Sequence, residues 1–308
     1  MASILIVGYG SHTKRRILPA LDSINNLDNI FITSRNYPDD ISKKYKYLNK
    51  EEIIKNNMKF DAVIISSYPS AHLENFEYFK NCSNLFLIEK PITNNLLYLD
   101  DDNFYNYFQD YQIKECLMYF HHPIYDEFSK VIRDNKIESL EALLTIPHIE
   151  KNNHRYSKNL GGSSILDQGI YPISLILENF EIVNDSINYQ IFFENSYEID
   201  TGGTLICETN EGTKINLKWG IGYEYSNNVK VTSGKSCFEF PMFFSKPENH
   251  ISKYDMKNSE KIKSFEIGNH DQFNNMYKDI IVNNMNFDYQ NYENLKSRYD
   301  FIGKLLND

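Results

Sequence analysis

The chain has no run of apolar residues approaching the roughly 20 that a membrane-spanning helix needs, so no membrane partner is expected. The opening apolar run, Ile4 to Val7, is short and ends in a glycine turn instead of a cleavage site, which argues against a signal peptide. Cysteine is scarce. Cys82, Cys116, Cys207 and Cys237 are far apart and form no C-x-x-C pair, so neither a disulfide framework nor a zinc knuckle is expected, and the four read as unpaired thiols of a cytoplasmic protein. The H-E-x-x-H pattern is missing. His121 and His122 are neighbours at the end of an expected strand, where adjacent side chains point to opposite sides and chelate one ion poorly. No metal is expected, although either histidine could line a substrate cleft. Positive charge is also short: 32 Lys and Arg against 42 Asp and Glu leave a net charge of −10. That balance suits neither nucleic acid nor anionic lipid, and the aromatics are not interleaved with basic residues as a base-stacking platform requires. An anionic small ligand would have to be held by local groups against the overall field.

What is present is a chain of 308 residues, long enough for two domains. Through the first 120 residues, short continuously apolar runs alternate with amphipathic stretches. Strands are expected at 3–8, 29–34, 61–67, 84–89 and 113–120, with helical stretches at 13–24, 39–57, 71–80 and 93–108. Such alternation means βαβ units and a parallel sheet covered on both faces. After Pro123 the style changes. A helix at 123–134 leads to a strand at 137–149 and an apolar helix at 163–179. Strands with polar–apolar alternation follow at 186–194, 203–209, 213–219, 228–233 and 235–240, with a hairpin turn at 210–213. The polar region 241–262 reads as a long surface loop, and helices at 269–284 and 289–306 close the chain. The expected fold class is therefore α/β: a parallel-sheet α/β domain over 1–120 and an α+β domain with a largely antiparallel open sheet over 121–308.

Between the first strand and first helix stands V-G-Y-G-S-H-T. Gly8 permits a tight turn, and Gly10, followed by Ser11 and His12, leaves room where a pyrophosphate could approach a helix N-terminus. Thr13 occupies the place of the third glycine of the dinucleotide fingerprint, where it either caps the helix or pushes it outward. The second strand ends in Ser34-Arg35-Asn36, with no acid before Asp39 and Asp40. A site specific for NAD would place a carboxylate here for the ribose hydroxyls, whereas a hydroxyl and a guanidinium suit a 2′-phosphate. NADP(H) is the expected cofactor, with NAD the alternative.

Further along come S-S-Y-P-S-A-H (66–72), I-E-K-P-I-T (88–93) and G-G-S-S-I-L-D-Q-G-I-Y (161–171). With the glycine turn, and in this order over nearly the whole chain, they resemble the glucose–fructose oxidoreductase / inositol dehydrogenase (Gfo/Idh/MocA) family. The resemblance implies an N-terminal Rossmann domain, a C-terminal substrate-binding and oligomerisation domain, a nicotinamide cofactor between them, and homodimers or homotetramers. It also implies site residues. Gly8 and Gly10 belong to the pyrophosphate turn; Ser67, Tyr68, Pro69 and His72 lie beside the cofactor; Glu89, Lys90 and Pro91 form the characteristic tripeptide, its Lys–Pro bond cis. Asp167 matches the substrate-binding acid, and Tyr171 stands where other members have histidine. Phe120 departs from the family, lying where many relatives carry an arginine.

Hydride exchange at a secondary alcohol or ketone requires a proton to move at the oxygen. Tyr171 is the expected proton-transfer residue. Lys90 is its electrostatic partner, because an ammonium favours the phenolate. Asp167, four residues before Tyr171, shares its helix face. The basic loop 150–159, flanked by His148 and His154, reads as solvated, though it could reach a nucleotide-sugar diphosphate. The expected function is an NADP(H)-dependent sugar oxidoreductase acting on a carbohydrate, nucleotide-activated or otherwise modified. The alternatives are an aldose, dihydrodiol or imine oxidoreductase on the same scaffold, and a non-catalytic dinucleotide-binding regulator.

Overall fold

The computed structural model describes residues 2–25, 27, 29–100, 102–247, 249–259 and 261–307. Its first sheet is parallel and contains β1 (Ser3–Val7), β2 (Asn29–Thr33), β3 (Lys46–Tyr47), β4 (Ala62–Ile65), β5 (Leu85–Glu89) and β6 (Gln112–Cys116). The strand order is β3-β2-β1-β4-β5-β6, with Ile4 opposite both Ile30 and Ala62. This is the doubly wound dinucleotide-binding order, in which the direction of winding reverses between β1 and β4. Ile4, Leu5, Ile6, Val63, Ile64 and Ile65 are fully buried. Both faces of those strands are covered, which is why the strands read as continuous apolar runs and not as alternation.

Four helices belong to this sheet: α1 (Leu18–Asp22), entered through a π-helical turn at Thr13–Ile17, α2 (Lys50–Lys55), α3 (His72–Phe79) and α4 (Asp102–Asp110). The expected helix over 39–57 is corrected. Only its end is helical, where Asn49 Oδ1 accepts from the backbone N–H of Glu51 at 2.8 Å and Ile53 is buried. The segment before it supplies β3, held by Leu48 N–H donating to the Ile32 carbonyl at 2.9 Å. β6 likewise ends at Cys116, short of the expected 120. A 3₁₀ turn, Met118–His121, follows, so the two histidines are not at a strand end.

The second sheet has eight strands: β7 (Ser139–Ile146), β8 (Asn188–Phe193), β9 (Asp200–Glu208), β10 (Lys214–Ile221), β11 (Ser226–Ser233), β12 (Ser236–Pro241), β13 (Ile251–Lys257) and β14 (Ile262–Asn269). Their order is β14-β13-β12-β11-β7-β10-β9-β8, antiparallel except for β7 with β10. The expected loop at 241–262 is a second correction, since β13 lies in it. The segment Ser252-Lys253-Tyr254-Asp255-Met256 alternates, and the Tyr254 ring stacks on Phe240 (5.0 Å) and Phe265 (4.8 Å). Cross-strand aromatic pairs of this kind offset the polarity of a strand. Helix α5 (Pro123–Asp134) and helix α6 (Ile170–Asn179) follow β6 and β7, and α6 is entered through a π-helical turn at Ile165–Gly169. The single tryptophan, Trp219, is fully buried on β10.

Helices α7 (Gln272–Tyr277) and α8 (Tyr292–Asn307) complete the chain. Two compact units result: Met1–Leu117 with Asn159–Gly161 and Phe273–Lys296, and Met118–Lys158 with Gly162–Gln272 and Ser297–Asp308. The sequence reading placed one break between 120 and 121; the chain instead returns to the first unit twice. Specific contacts account for the later return. Tyr292 donates to the Leu99 carbonyl at 2.9 Å within a group of rings from Phe104, Tyr105 and Phe108, and Asn274 Nδ2 donates to the Ala20 carbonyl at 3.0 Å. Cys82, Cys116, Cys207 and Cys237 are all free thiols. Among the described residues no helix is long and apolar enough to cross a membrane, and no group of three potential ligands could hold a metal ion.

Candidate active site

In the first unit the glycine turn leaves β1 at the point where the sheet reverses its winding. Gly8 has φ of +114°, and a Cβ there would lie 2.4 Å from the Ser66 carbonyl oxygen, so the backbone just after β4 demands glycine at this position. Gly10 differs: a Cβ built on it would meet nothing within 4 Å. The protein fills no space there, which fits an incoming phosphate. Thr13 does not cap the helix. Its buried hydroxyl donates back to the Gly8 carbonyl at 3.0 Å and lies 3.2 Å from Ser66 Oγ, tying turn, helix and β4 together.

Ser11 is exposed beside the turn, and His12 reaches across it, its Nε2 3.1 Å from Glu89 Oε1 and its ring edge-on to Phe273 at 5.4 Å. At the end of β2, Ser34 Oγ donates to the Asn36 carbonyl at 2.6 Å and Arg35 is exposed. Asp40 is engaged elsewhere: Lys14 Nζ pairs with it at 2.5 Å, and that ammonium holds the carboxyl below its ordinary range. The strand end therefore presents a guanidinium and a hydroxyl.

The third part of this unit is the Glu89-Lys90-Pro91 corner after β5. Its Lys90–Pro91 bond is cis, and Lys90 is half-buried. Glu115, fully buried on β6, accepts from the Ile92 backbone N–H at 2.9 Å. His72 is fully buried, with Nδ1 2.8 Å from the Pro91 carbonyl and Nε2 3.1 Å from that of Ser67. Burial pushes its pKa down, and the two carbonyls oppose this. His72 thus stands between the corner and the Ser67–Pro69 loop, with one ring nitrogen on each. Ser67 Oγ accepts from Asn75 Nδ2 at 3.1 Å, Tyr68 is 42% exposed, and Pro69 opens the 3₁₀ turn ahead of α3.

In the second unit Asp167 and Tyr171 lie four residues apart across the π-helical turn, still on one side of it. Tyr171 is buried. Its hydroxyl donates to Met118 Sδ at 3.4 Å and its ring meets Tyr119 edge-on at 5.9 Å. Asp167 Oδ2 pairs with Arg155 Nε at 2.5 Å and accepts from Gln168 Nε2 at 2.5 Å. The loop carrying Arg155 is largely solvated, as its composition suggests, with Glu150, Lys151, Asn152, Lys158 and Asn159 exposed, but it is anchored at one residue. Tyr156 is buried and stacks flat on Tyr197 at 4.0 Å beside Ile199 and Ile221. The start of the helix is fixed by Asp200 of β9, whose carboxylate accepts from Ser163 Oγ (2.6 Å), Ser164 Oγ (2.5 Å) and the Ile165 backbone N–H (2.7 Å). Burial pushes the Asp200 carboxyl pKa up, against the effect of those three donors.

His121 and His122 are buried in the second unit. His122 Nδ1 accepts from the Ile124 N–H at 3.0 Å, capping α5, and its Nε2 lies 3.3 Å from Ser252 Oγ. Burial lowers its pKa to about 2, so the cap is a neutral imidazole. Phe120 is also buried, packed on Tyr119 at 4.1 Å. Sequence reasoning missed Arg155, Asp200 and Glu115, and the link from His12 to Glu89. Each depends on a partner distant in sequence.

Two groups thus emerge. A dinucleotide-type turn with an adjacent lysine corner lies in one unit, and a tyrosine and an acid on one helix side lie in the other. The proteins that the chain resembles are reductases and dehydrogenases of sugars as a class. In particular, it is 23% identical over 281 residues to a dTDP-3,4-didehydro-2,6-dideoxy-alpha-D-glucose 3-reductase from Actinomadura kijaniata, covering 87% of this chain and 83% of that protein. The crystal structure of a mutant 3-ketoreductase from the same organism, in complex with TDP-benzene and NADP, matches with a TM-score of 0.84. It is 20% identical, with 98% of this chain and 97% of that chain covered. An aldose-aldose oxidoreductase from Caulobacter crescentus matches with a TM-score of 0.82 at 16% identity, over 99% and 96% of the two chains. No family model matches.

Proposed function

We propose that this protein is an NADP(H)-dependent reductase of the Gfo/Idh/MocA family that acts on a keto group of a nucleotide-activated sugar. The observation that carries the reading is the likeness, over nearly the full chain, to a dTDP-sugar 3-reductase and to a 3-ketoreductase crystallised with NADP and a TDP ligand. The open space at Gly10 and the exposed Arg35 on an acid-free strand end suit the pyrophosphate and the 2′-phosphate. Ser11, His12, Ser34, Ser67, Tyr68 and Pro69 complete the cofactor's surroundings, and Glu89 and Pro91 shape the corner that carries Lys90. The cofactor, when bound, supplies the hydride.

The chain's own residues supply position and the proton. Tyr171 gives its hydroxyl proton to the oxygen as the ketone becomes an alcohol, Lys90 orients that oxygen and favours the resulting phenolate, and Asp167 accepts from a sugar hydroxyl. The protein works in the cytoplasm as a homodimer or homotetramer.

The test is a turnover assay that follows nicotinamide absorbance with NADPH and NADH, offering nucleotide sugars and free sugars in both directions. Tyr171→Phe keeps the ring and removes the hydroxyl, so turnover is expected to fall about 10²–10⁴-fold with cofactor affinity nearly unchanged. Lys90→Met is expected to be at least as damaging. Near-normal turnover of Tyr171→Phe beside an inactive Lys90→Met would move the proton to the lysine or a water. NADPH binding without turnover on any carbohydrate would instead assign the protein a regulatory role.

A further inference from the structure

We propose that His12 takes up a proton when the dinucleotide binds and then stands as a cation between the Glu89 carboxylate and the cofactor's pyrophosphate, so that cofactor affinity falls as pH rises. The inference rests on the dinucleotide-binding part of the reductase reading, and the protein groups it uses all lie in the first unit. His12 belongs to the glycine turn, two residues after Gly10, where the protein leaves open the space that suits a phosphate. Its Nε2 lies 3.1 Å from Glu89 Oε1. The Glu89 side chain keeps only 10% of its exposure, against 42% for His12. Among the described residues His12 is the one hydrogen-bond partner of that carboxylate. A carboxylate so far out of water and held by a single donor favours a positive charge beside it. Phe273 packs edge-on against the imidazole at 5.4 Å and limits its rotation.

A neutral imidazole has one N–H. Given to Glu89 from Nε2, it leaves Nδ1 with a lone pair, and Nδ1 has no hydrogen-bond partner among the described residues. A lone pair repels a phosphate oxygen. A proton taken from the buffer onto Nδ1 makes it a donor, and the ring's charge is then attracted by the carboxylate on one side and the phosphate on the other. The other charged groups around the turn are engaged elsewhere. Lys14 pairs with Asp40 at 2.5 Å and lies over the Tyr9 ring at 4.6 Å. Lys90 follows Glu89 on the corner, and the buried His72 and Glu115 bond to the backbone of Pro91 and Ile92. Burial holds the His72 pKa below its ordinary value. From α7 the group in contact is the uncharged Phe273 ring, with Asp271 the nearest charge before it along the chain. Because the complex holds more protons than the free protein, linkage makes binding weaken as pH rises.

The test is calorimetry of NADPH and NADH binding to the unmodified protein at pH about 7, in two buffers of different ionisation heat, which counts the protons taken up. An ordinary imidazole titrates near 6.5, so uptake of at least about half a proton per dinucleotide is expected with either cofactor. Between pH 6 and pH 8 the affinity is expected to fall about tenfold relative to His12→Gln, which keeps a donor for Glu89 but cannot change its charge. Taking the variant as reference cancels the titration of the 2′-phosphate itself, whose second ionisation lies near 6. Uptake below about 0.2 proton, or equal pH slopes in the two proteins, overturns the proposal. Binding without uptake overturns this inference and leaves the reductase reading standing. Uptake on binding with no turnover on any carbohydrate does the reverse, and failure of both dinucleotides to bind overturns the two together.

Discussion

At the scale of single residues, the proposed function makes cofactor choice hang on Arg35. It is exposed at the end of β2, and Asp40, farther along, is paired with Lys14. A charge-assisted phosphate contact is worth about 1.5–3 kcal/mol. Arg35→Ala is therefore expected to weaken NADPH binding about tenfold to a hundredfold while NADH binding changes little, as measured by fluorescence titration of both cofactors. Tighter binding of NADH than NADPH by the unmodified protein would contradict the assignment. Residue identities of this kind were legible because they sit in local motifs: Gly8, Gly10 and Arg35 all lie within a few residues of a strand end. The bracing role of His72 was not legible, since it depends on carbonyls of Ser67 and Pro91 that only the folded chain brings to its two nitrogens.

Among elements, the segment 163–179 was readable as a helix from its apolar content, but what starts it was not. Its cap comes from Asp200, more than 30 residues later, in place of a side chain just before the first turn. Asp200→Ala leaves two hydroxyls and one N–H buried without their acceptor. Such losses amount to about 2–4 kcal/mol, so a corresponding drop in unfolding free energy is expected, read by urea titration. Asp200→Asn, which keeps the shape and one acceptor oxygen, is expected to lose roughly half as much. An unchanged midpoint for Asp200→Ala would mean that the helix start is held by something else. The three strands absent from the sequence reading share one physical cause. β3, β13 and β14 are short or polar strands whose pairing partners, not their own composition, make them strands.

For the whole molecule, the acid limb of stability follows from where carboxylates are held. Asp61 accepts from the Ser3 backbone N–H at 2.7 Å and from Ser3 Oγ at 2.9 Å, and the backbone bond lowers its pKa below the ordinary 3.8. A carboxyl with a depressed folded pKa binds protons more weakly in the folded state. Its contribution is therefore complete above the ordinary value and lost as pH falls through the folded one. Asp61→Asn is expected to flatten the fall in stability from about pH 4 downward and to change its pH dependence little near neutrality. Denaturant titrations at a series of pH values would show this, and an unaltered acid limb would refute it.

The sequence by itself determined the alternation of buried strands and helices, the change of style after Pro123, and the ordered motifs that carry Lys90, Asp167 and Tyr171. These are set by periodicity and by backbone demands within a few residues, which no distant partner needs to supply. Tertiary structure alone decided that 273–296 joins the first unit, that Glu115 and His72 brace the lysine corner, that Asp200 starts the helix bearing Asp167, and that Arg155 stands against that acid. Each of those is a hydrogen bond, ion pair or ring contact between groups far apart in the chain. One-dimensional spacing carries no record of such a partner, because folding alone brings the two groups within bonding distance.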